Sequence, residues 1–403
     1  MIRNERGIAL VITLLVISLL AITVIEFAYS VEVDQRMARN ALNGVQAALL
    51  VRSGINLGEA FLLHDTDIQV DSFSEEWCPQ SGPEGHSCRI DESNSQMVVP
   101  DNMRLRVEIF DESGKLNINL TKPANLQQLT QYRNATAQGQ PVAQPFAWWL
   151  NALKTLLQSR GMDPEPAAEG LMNYWEQVLQ AQAGQTGQPG VAAAAPQATP
   201  TTVSDASASQ TPTQQLLSDF PSLDDAAIIP GFTPEAIRRL RPVLTAGTTN
   251  LARVNANTAP RAVLNAIIGD GDAVEAIISA RQEQPLKPQD LTPLLVQKNK
   301  PQDPAAQTRP QSMLGSTSNY FQIRASAIVN PNPVTGRGGV SRSASMLVRR
   351  QQKAGVAPNA PAGTPRWTLT RLDWQKEGGA ALFDKVDQGS DTDETSSTAS
   401  TVR

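Results

Sequence analysis

The residues Arg6-Gly7-Ile8-Ala9-Leu10 lead into an uncharged run, from Ile8 to Ile25, which passes into a helical pattern reaching about Phe61. At a rise of about 1.5 Å per residue, residues 8–25 span roughly 27 Å, which is close to the hydrocarbon thickness of a bilayer. Thirteen of these eighteen residues are Leu, Ile or Val. Insertion is therefore expected to be favourable by on the order of 4–8 kcal/mol, and the run predicts a membrane-spanning helix.

Charges around the run predict which side of the membrane each end faces. Arg3 and Arg6 precede it and no Lys or Arg follows until Arg36, so the N-terminus is predicted to be cytoplasmic and the rest exported. A cleaved secretory signal is the alternative, since Ala28-Tyr29-Ser30 is an acceptable cleavage site. Against it, apolar residues continue at helical spacing beyond Ser30 without a turn signal: Met37, Ala41, Val45, Ala48, Leu49, Ile55 and Leu62.

The short charged leader that ends at Gly7 resembles the signal of type IV pilin-like proteins. The resemblance implies that a prepilin peptidase cuts between Gly7 and Ile8 and methylates Ile8. Most pilins carry Glu at the fifth mature position, where this chain has Ile12. In the family, that Glu neutralises a neighbour's N-terminal amine inside the apolar filament core, where an unpaired charge costs several kcal/mol. The chain thus resembles the minor pseudopilin K family of type II secretion, which lacks this Glu.

Length and charge agree with an exported, anchored protein that has more than one domain. The chain has 403 residues, which is long enough for two domains. Its net charge of −5 and sequence pI of about 5.3 leave no basic footprint for nucleic acid.

The two cysteines, Cys78 and Cys88, lie in a loop rich in Pro and Gly. In an oxidising periplasm they are predicted to form a disulfide, which would contribute roughly 2–3 kcal/mol by closing a short loop. A zinc site that uses His86 is the alternative. The loop offers three zinc ligands at most, and the other histidine is distant at position 64.

Residues 102–110 alternate apolar and polar side chains and predict a half-buried strand. Asp111-Glu112-Ser113-Gly114-Lys115 is a turn sequence, and residues 116–120 are predicted to return as the second strand of a hairpin. The sequence of this segment resembles a motif that precedes an inserted helical domain in pseudopilin K proteins. Residues 65–120 are therefore predicted to be a pilin-like region that contains the first strands and the cysteine loop.

Residues 121–314 are predicted to form the inserted helical domain. Two aromatic and aliphatic helical faces, predicted to be core, are Trp148, Leu150, Leu153, Leu156 and Leu157, and Leu171, Tyr174, Trp175, Val178 and Leu179. The family usually has an acidic motif around a Trp here, and Asn173-Tyr174-Trp175-Glu176 keeps the Trp and one acid. Residues 181–215 are almost wholly small or polar and predict a flexible linker.

Two helix-turn-helix units follow the linker. Ile228–Ile237 predicts a helix, a tight turn and a second helix with Thr233 as N-cap. In the second unit, the turn Gly269-Asp270-Gly271 separates helical residues 263–268 and 274–281. This pattern resembles a helix-hairpin-helix motif, which elsewhere holds DNA phosphates on backbone N–H groups.

A membrane-anchored periplasmic DNA receptor of the competence type is therefore an alternative function. DNA affinity comes mostly from Lys and Arg, whereas residues 216–300 carry nine basic and nine acidic residues. Asp270 and Asp272 flank Gly271, where a phosphate would bind. A compact module that binds protein is the favoured interpretation, and nucleic acid is not an expected partner.

Residues 315–375 return to a period of two and predict three strands, at 320–329, 341–349 and 366–374. They resemble the closing strands of pseudopilin K and are expected to join the first strands in one antiparallel sheet. Residues 376–403 are predicted to be a disordered tail. The predicted fold is α+β, a long N-terminal helix packed on an antiparallel sheet with a large inserted all-α domain. Within it, residues 1–7 are the leader, 8–28 the transmembrane part and 29–64 the periplasmic part of the helix.

No sequence pattern supports catalysis, because the only histidines are His64 and His86 and no nucleophile elbow or phosphate-binding loop occurs. Family members can bind calcium, and Asp65, Asp67 and Asp71, or Asp111 with Glu112, offer carboxylate ligands without a complete loop signature. The resemblance implies a minor pseudopilin that caps the inner-membrane pseudopilus. Its implied partners are the minor pseudopilins I and J, then H, with the inner membrane and prepilin peptidase. A minor pilin of a type IV pilus is a further alternative.

Overall fold

The computed structural model describes residues 5–67, 69–81, 87–91, 93–95, 97–140, 142, 144–186, 219–247, 253–298, 304–331, 339–353 and 366–377. The helices are α1 (Glu5–His64), α2 (Leu126–Ala137), α3 (Pro145–Ser159), α4 (Pro164–Thr186), α5 (Pro234–Leu240), α6 (Arg261–Ile268), α7 (Gly271–Glu283), α8 (Pro288–Lys298) and α9 (Pro304–Met313). The strands are β1 (Cys88–Ile90), β2 (Met103–Asp111), β3 (Leu116–Asn117), β4 (Leu244–Thr245), β5 (Val254–Asn255), β6 (Leu314–Gly315), β7 (Tyr320–Val329), β8 (Val340–Gln352) and β9 (Trp367–Glu377).

The predicted long N-terminal helix is confirmed as α1. Its apolar window has a mean hydropathy of 2.7 and is exposed throughout, so within the described residues it is long and apolar enough to cross a membrane. The helix continues without interruption past Ser30 to His64.

The second half of α1 packs on a sheet through small residues. An added Cβ at Gly58 would lie 2.6 Å from Ile323 Cγ2, and one at Gly54 would lie 3.0 Å from both Ala325 and Leu105. Glycine therefore allows the helix backbone to approach the strands closely. Of the predicted apolar stripe, Ile55 and Leu62 are buried in this contact, whereas Met37, Val45 and Leu49 are exposed.

The sheet has five strands among the described residues, in the order β1-β2-β7-β8-β9, and every neighbouring pair is antiparallel. The helix α1 crosses one face over β2, β7 and β8. Residues far apart in sequence thus share one sheet, and the three strands predicted near the C-terminus are present. Residues 378–403 of the predicted tail lie outside the described residues.

The predicted hairpin over residues 103–120 is wrong. After β2 the chain forms a 3-10 helix at Glu112–Gly114, and β3 pairs in parallel with β4. Residues 116–118 cannot return along the sheet, because Leu116 and Ile118 are both buried in the core of the helical part. A Cβ added at Gly114 would lie 2.7 Å from Thr258 Oγ1, so another segment fills the turn.

The helical part between β2 and β7 has a core of its own. As predicted, the apolar faces of α3 and α4 lie in it, with two exceptions: Trp149 is buried where Trp148 is half-buried, and Leu179 is buried outside this core. Trp175 is fully buried, and its Nε1 donates to Thr121 Oγ1 at 3.0 Å. Helix α4 continues through Thr186, and the remainder of the predicted linker, residues 187–215, lies outside the described residues.

Candidate functional site

A buried carboxylate lies where the sheet meets the helical part. Asp111, the last residue of β2, accepts hydrogen bonds from Thr258 Oγ1 and Ser318 Oγ, each at 2.5 Å, and from Ser113 N at 2.8 Å. Asn255 Nδ2 lies 3.3 Å from the same carboxylate. Burial raises the pKa of Asp111, while the hydrogen bonds from Ser318 and Thr258 oppose that rise.

A buried arginine lies beside this carboxylate. Arg350 of β8 pairs with Asp65 at 2.6 Å and with Asp71, and its guanidinium lies 4.7 Å from the Phe321 ring centroid and 4.2 Å from that of Trp367. Burial lowers the pKa of Arg350 and raises that of Asp65. Because Asp65 directly follows α1, this pair connects the end of the helix to the sheet.

Backbone and side-chain hydrogen bonds join the two groups into one cluster. Ser318 N donates to Asp71 Oδ2 at 2.6 Å, and Asn255 Nδ2 donates to the Asp71 carbonyl at 2.9 Å and to Ser318 Oγ at 2.7 Å. We call the whole set the junction. Its members are Asp65, Asp71, Asp111, Asn255, Thr258, Ser318 and Arg350.

A further carboxyl group, that of Glu75, lies next to the junction, close to Asp65 and Asp71. One ligand oxygen each from Asp65, Asp71 and Glu75 lies within 4.8 Å of the others. Trp77 Nε1 donates to Glu75 Oε2 at 3.0 Å. Burial, and then the charge of Asp65, raise the pKa of Glu75 to about 8. Glu75 is therefore mostly protonated at neutral pH.

The carboxylates expected to offer calcium ligands do not fit that ion. Calcium takes six to eight oxygen ligands, whereas the guanidinium of Arg350 already lies between Asp65 and Asp71 and would repel a second cation. Asp67 accepts a hydrogen bond from its own loop, at Gln69 N. Asp111 and Glu112, the other pair expected to bind calcium, already accept hydrogen bonds from protein groups. Asp111 accepts those from Ser113, Thr258 and Ser318. Glu112 accepts from Thr245 Oγ1 at 2.6 Å and from Lys115 Nζ at 2.5 Å.

Replacement of Arg350 should strongly destabilise the folded protein, because it would leave two buried carboxylates without their cation. We expect Arg350→Met to lower the free energy of unfolding by about 3–5 kcal/mol, measured by denaturant unfolding of the full chain in detergent. Arg349→Met, at the neighbouring half-buried position, is the control and should cost about 1 kcal/mol or less. Neither excess calcium nor a chelator should shift the wild-type midpoint, and stabilisation of the wild type by calcium would contradict this assignment.

The raised pKa of Glu75 should appear as a pH dependence of stability. The folded chain keeps a proton that the unfolded chain releases between pH 4.5 and about 8, so stability falls as the pH rises through this window. Glu75→Gln removes this titration and keeps an acceptor for Trp77, so its melting temperature should fall less over the same range. Glu76→Gln, at an exposed neighbour, should behave as wild type. Identical pH profiles for Glu75→Gln and wild type would refute the assignment.

Cys78 and Cys88 are free thiols in the structure, and both are buried. Burial, and then a hydrogen bond with the Cys78 thiol, raise the pKa of Cys88. Their pairing as a disulfide stays a prediction. His86, the ligand of the zinc alternative, lies outside the described residues.

The residues predicted for processing lie at the start of α1. Gly7 and Ile8 are in its first turns, and Ile12 is 57% exposed on the apolar part of the helix. Their position is consistent with the predicted roles and leaves those roles untested.

The two helical hairpins present no open phosphate site at their turns. Asp270 N-caps α7, and its Oδ1 accepts from Asp272 N at 2.9 Å and Ala273 N at 3.3 Å. The carboxylate thus occupies the place where a phosphate would bind a helix N-terminus. In the first hairpin, a Cβ added at Gly231 would lie 3.1 Å from the backbone of Ala167, so α4 covers that turn.

Duplex DNA should accordingly bind only by non-specific contacts. We expect the full chain in detergent to have a Kd of about 10⁻⁴ M or weaker for duplex DNA at physiological salt, measured by fluorescence anisotropy. Submicromolar, salt-sensitive binding that is lost on Gly269→Asp and Gly271→Asp would instead support a DNA receptor.

The sequence interpretation missed Arg350, Glu75 and the hydroxyl donors of the junction. One signal was present: Met346, Val348 and Arg350 share a side of β8, and an arginine on a core-facing side needs buried acids. Nothing local indicated which acids these would be. Asn255 and Thr258 precede α6, and no local pattern indicated that their side chains reach Asp111.

The long apolar helix, the antiparallel sheet and the helical part between β2 and β7 together define a pseudopilin-like fold. A solved counterpart is a chain of the GspK-GspI-GspJ complex from the enterotoxigenic Escherichia coli type 2 secretion system. The TM-score is 0.51 at 15% identity, and the match covers 85% of this chain and 99% of that chain. At this identity the likeness establishes the fold, and the predicted fold class is confirmed. No protein-family model and no curated protein sequence matches the chain.

Proposed function

We propose that this protein is a minor pseudopilin of the K kind in a type II secretion system. The observation that carries the proposal is the fold match, because it covers 99% of a chain from a GspK-GspI-GspJ complex and 85% of this one. The match therefore extends beyond a pilin-like helix and sheet to the large helical part. The proposed role is structural and not enzymatic.

In this proposal α1 anchors the protein in the inner membrane as a single span with the globular part in the periplasm. The positive charges before the apolar run support that orientation. Prepilin peptidase would cut between Gly7 and Ile8 and methylate Ile8.

Processing at Gly7 has a direct check. The mature protein purified from membranes should begin at Ile8 and retain the apolar helix, as N-terminal sequencing or intact mass would show. A mature start at Val31 would mean that an ordinary signal peptidase removes the apolar first half of α1. The pilin-like anchor would then be excluded.

The proposed position is the tip of the pseudopilus, where the protein assists assembly together with the minor pseudopilins I and J, and then H. Ile12 supports this position, because a subunit without Glu there has no carboxylate to neutralise the N-terminal amine of another subunit in an apolar core. The helical part, which lies between β2 and β7, also makes the head wider. A wide head stacked at every filament step would collide with the next head, whereas a single subunit at the end meets no such neighbour.

Labelling of filaments tests the tip position. In overproduced pseudopili, gold label on this protein should lie at one end and in far fewer copies than the major subunit, and loss of the protein should change filament number or length. Label at regular intervals along the shaft would contradict the proposal. Co-purification with type IV pilus subunits in place of the pseudopilins I and J would favour the alternative of a type IV minor pilin.

A further inference from the structure

The strand β9 forms one edge of the sheet and, among the described residues, pairs only with β8. An open edge presents unpaired backbone N–H and C=O groups to which another strand can bind. Many proteins limit this risk with a short edge strand, but β9 has eleven residues. Its edge therefore offers a surface on which a further strand can pair.

A β-bulge determines how the side chains of β9 are arranged. The register of β9 on β8 shifts between Arg371 and Asp373, so Leu372 is the extra residue. One extra residue reverses the alternation of side chains beyond it, and Trp374 therefore lies on the same face as Arg371. Residues 373–377 then pair with β8 without a further irregularity. We call residues 373–377 the open segment.

The open segment carries a large aromatic side chain that is partly uncovered. Trp374 lies on the α1 face, where it lines a cleft with Val45 and Leu49 of the helix, and it is 40% exposed. Gln375 lies on the opposite face and lines a cleft with Leu347. A strand paired with the open segment would place one side chain beside Trp374 and the preceding one beside Gln375.

The sequence that follows β9 has the pattern of a returning strand. Gly378-Gly379 comes directly after the last residue of β9, and Gly-Gly is a favoured two-residue turn because hairpin turns of this length need positive φ. Ala380-Ala381-Leu382-Phe383 comes next and contains no charge and no proline. Leu382 and Phe383 are the only leucine and the only aromatic residue in 378–403, which lie beyond the described part of the chain. Large apolar side chains are thus concentrated directly after the turn.

We propose that residues 380–383 return as a sixth strand, antiparallel to the open segment, and cover the edge of β9. A two-residue turn fixes the register, so Phe383 lies opposite Trp374 and Leu382 opposite Gln375. Phe383 then shares the α1 face with the indole and covers the side of it that points away from β8. Aromatic pairs directly across two strands stabilise a sheet.

The paired edge excludes other strands. Because the backbone groups of the open segment bind residues of the same chain, neither a second copy nor another protein can add a strand there. The inference does not depend on the proposed function, and it assigns this edge to the chain itself.

Hydrogen exchange on the full chain in detergent tests the hairpin. In wild type the amides of residues 380–383 should be protected, because alternate N–H groups donate to β9. Gly378→Val should accelerate their exchange about tenfold, since a β-branched residue strongly disfavours the positive φ of the turn. Gly389→Val, a glycine outside the hairpin, is the control and should exchange as wild type. Unprotected amides at 380–383 in wild type, or protection that survives Gly378→Val, would overturn the proposal.

An engineered disulfide tests the register and the occupant. Gln375→Cys with Leu382→Cys places cysteines at directly opposite positions, about 4.5–5.5 Å apart between Cα atoms, which suits a disulfide. Mass spectrometry after mild oxidation should find this bond within one chain. Gln375→Cys with Thr392→Cys is the control and should give about tenfold less, and the native Cys78 and Cys88 stay buried in both variants. Equal yields from the two variants, or no disulfide in either, would overturn the register, and a disulfide between two copies would overturn the occupant.

Discussion

Asp111 is a carboxylate removed from water, and the structure depends on how that group is compensated. A buried carboxylate that lacks hydrogen bonds costs far more than an ordinary contact returns. Its donors come from three parts of the chain: the turn that follows it, the segment before α6, and the segment before β7. These segments must therefore meet where β2 ends. The chain therefore leaves the sheet and returns to it at the same point, and β7 begins directly beside the end of β2.

Arg350 is also buried and charged, and its need for partners brings segments of the chain together at the end of α1. A guanidinium without solvent needs fixed carboxylates, and Asp65 and Asp71 supply them while Phe321 and Trp367 lie against its faces. Because Asp65 follows the helix and Asp71 contacts Ser318, the helix, the sheet and the helical part share one buried network. In the proposed function, force on the membrane-anchored helix would thus pass into the whole head and not into the sheet alone.

Elements with strong local periodicity were predictable from the sequence. The run from Ile8 to Ile25 and the alternation in β2 and β7 depend on neighbouring residues, as does the N-cap at Thr233, and each element is present. The segment 116–118 was not predictable in the same way. Its apolar residues alternate as in a strand, but they pack on residues more than a hundred positions away, such as Leu244.

The candidate site was predictable only in part. The sequence predicts acidic residues of the junction as oxygen ligands because family members can bind calcium, whereas the cation present is the side chain of Arg350. That pairing depends on the sheet register, which brings position 350 beside position 65. The sequence likewise predicts a strand at 366–374, and the exposure of Trp374 depends on a bulge at Leu372 that no local pattern indicated.

Hydrogen exchange on the full chain in detergent, comparing wild type with Asp111→Asn, tests most directly whether the junction joins sheet and helical part. Asp101→Asn, at an exposed position just before β2, is the matched control and should exchange as wild type. We expect Asp111→Asn to accelerate exchange together in β7 and in the segment from Val254 through α6, because both lose a common partner. Faster exchange confined to one of these two regions, or none in either, would contradict it.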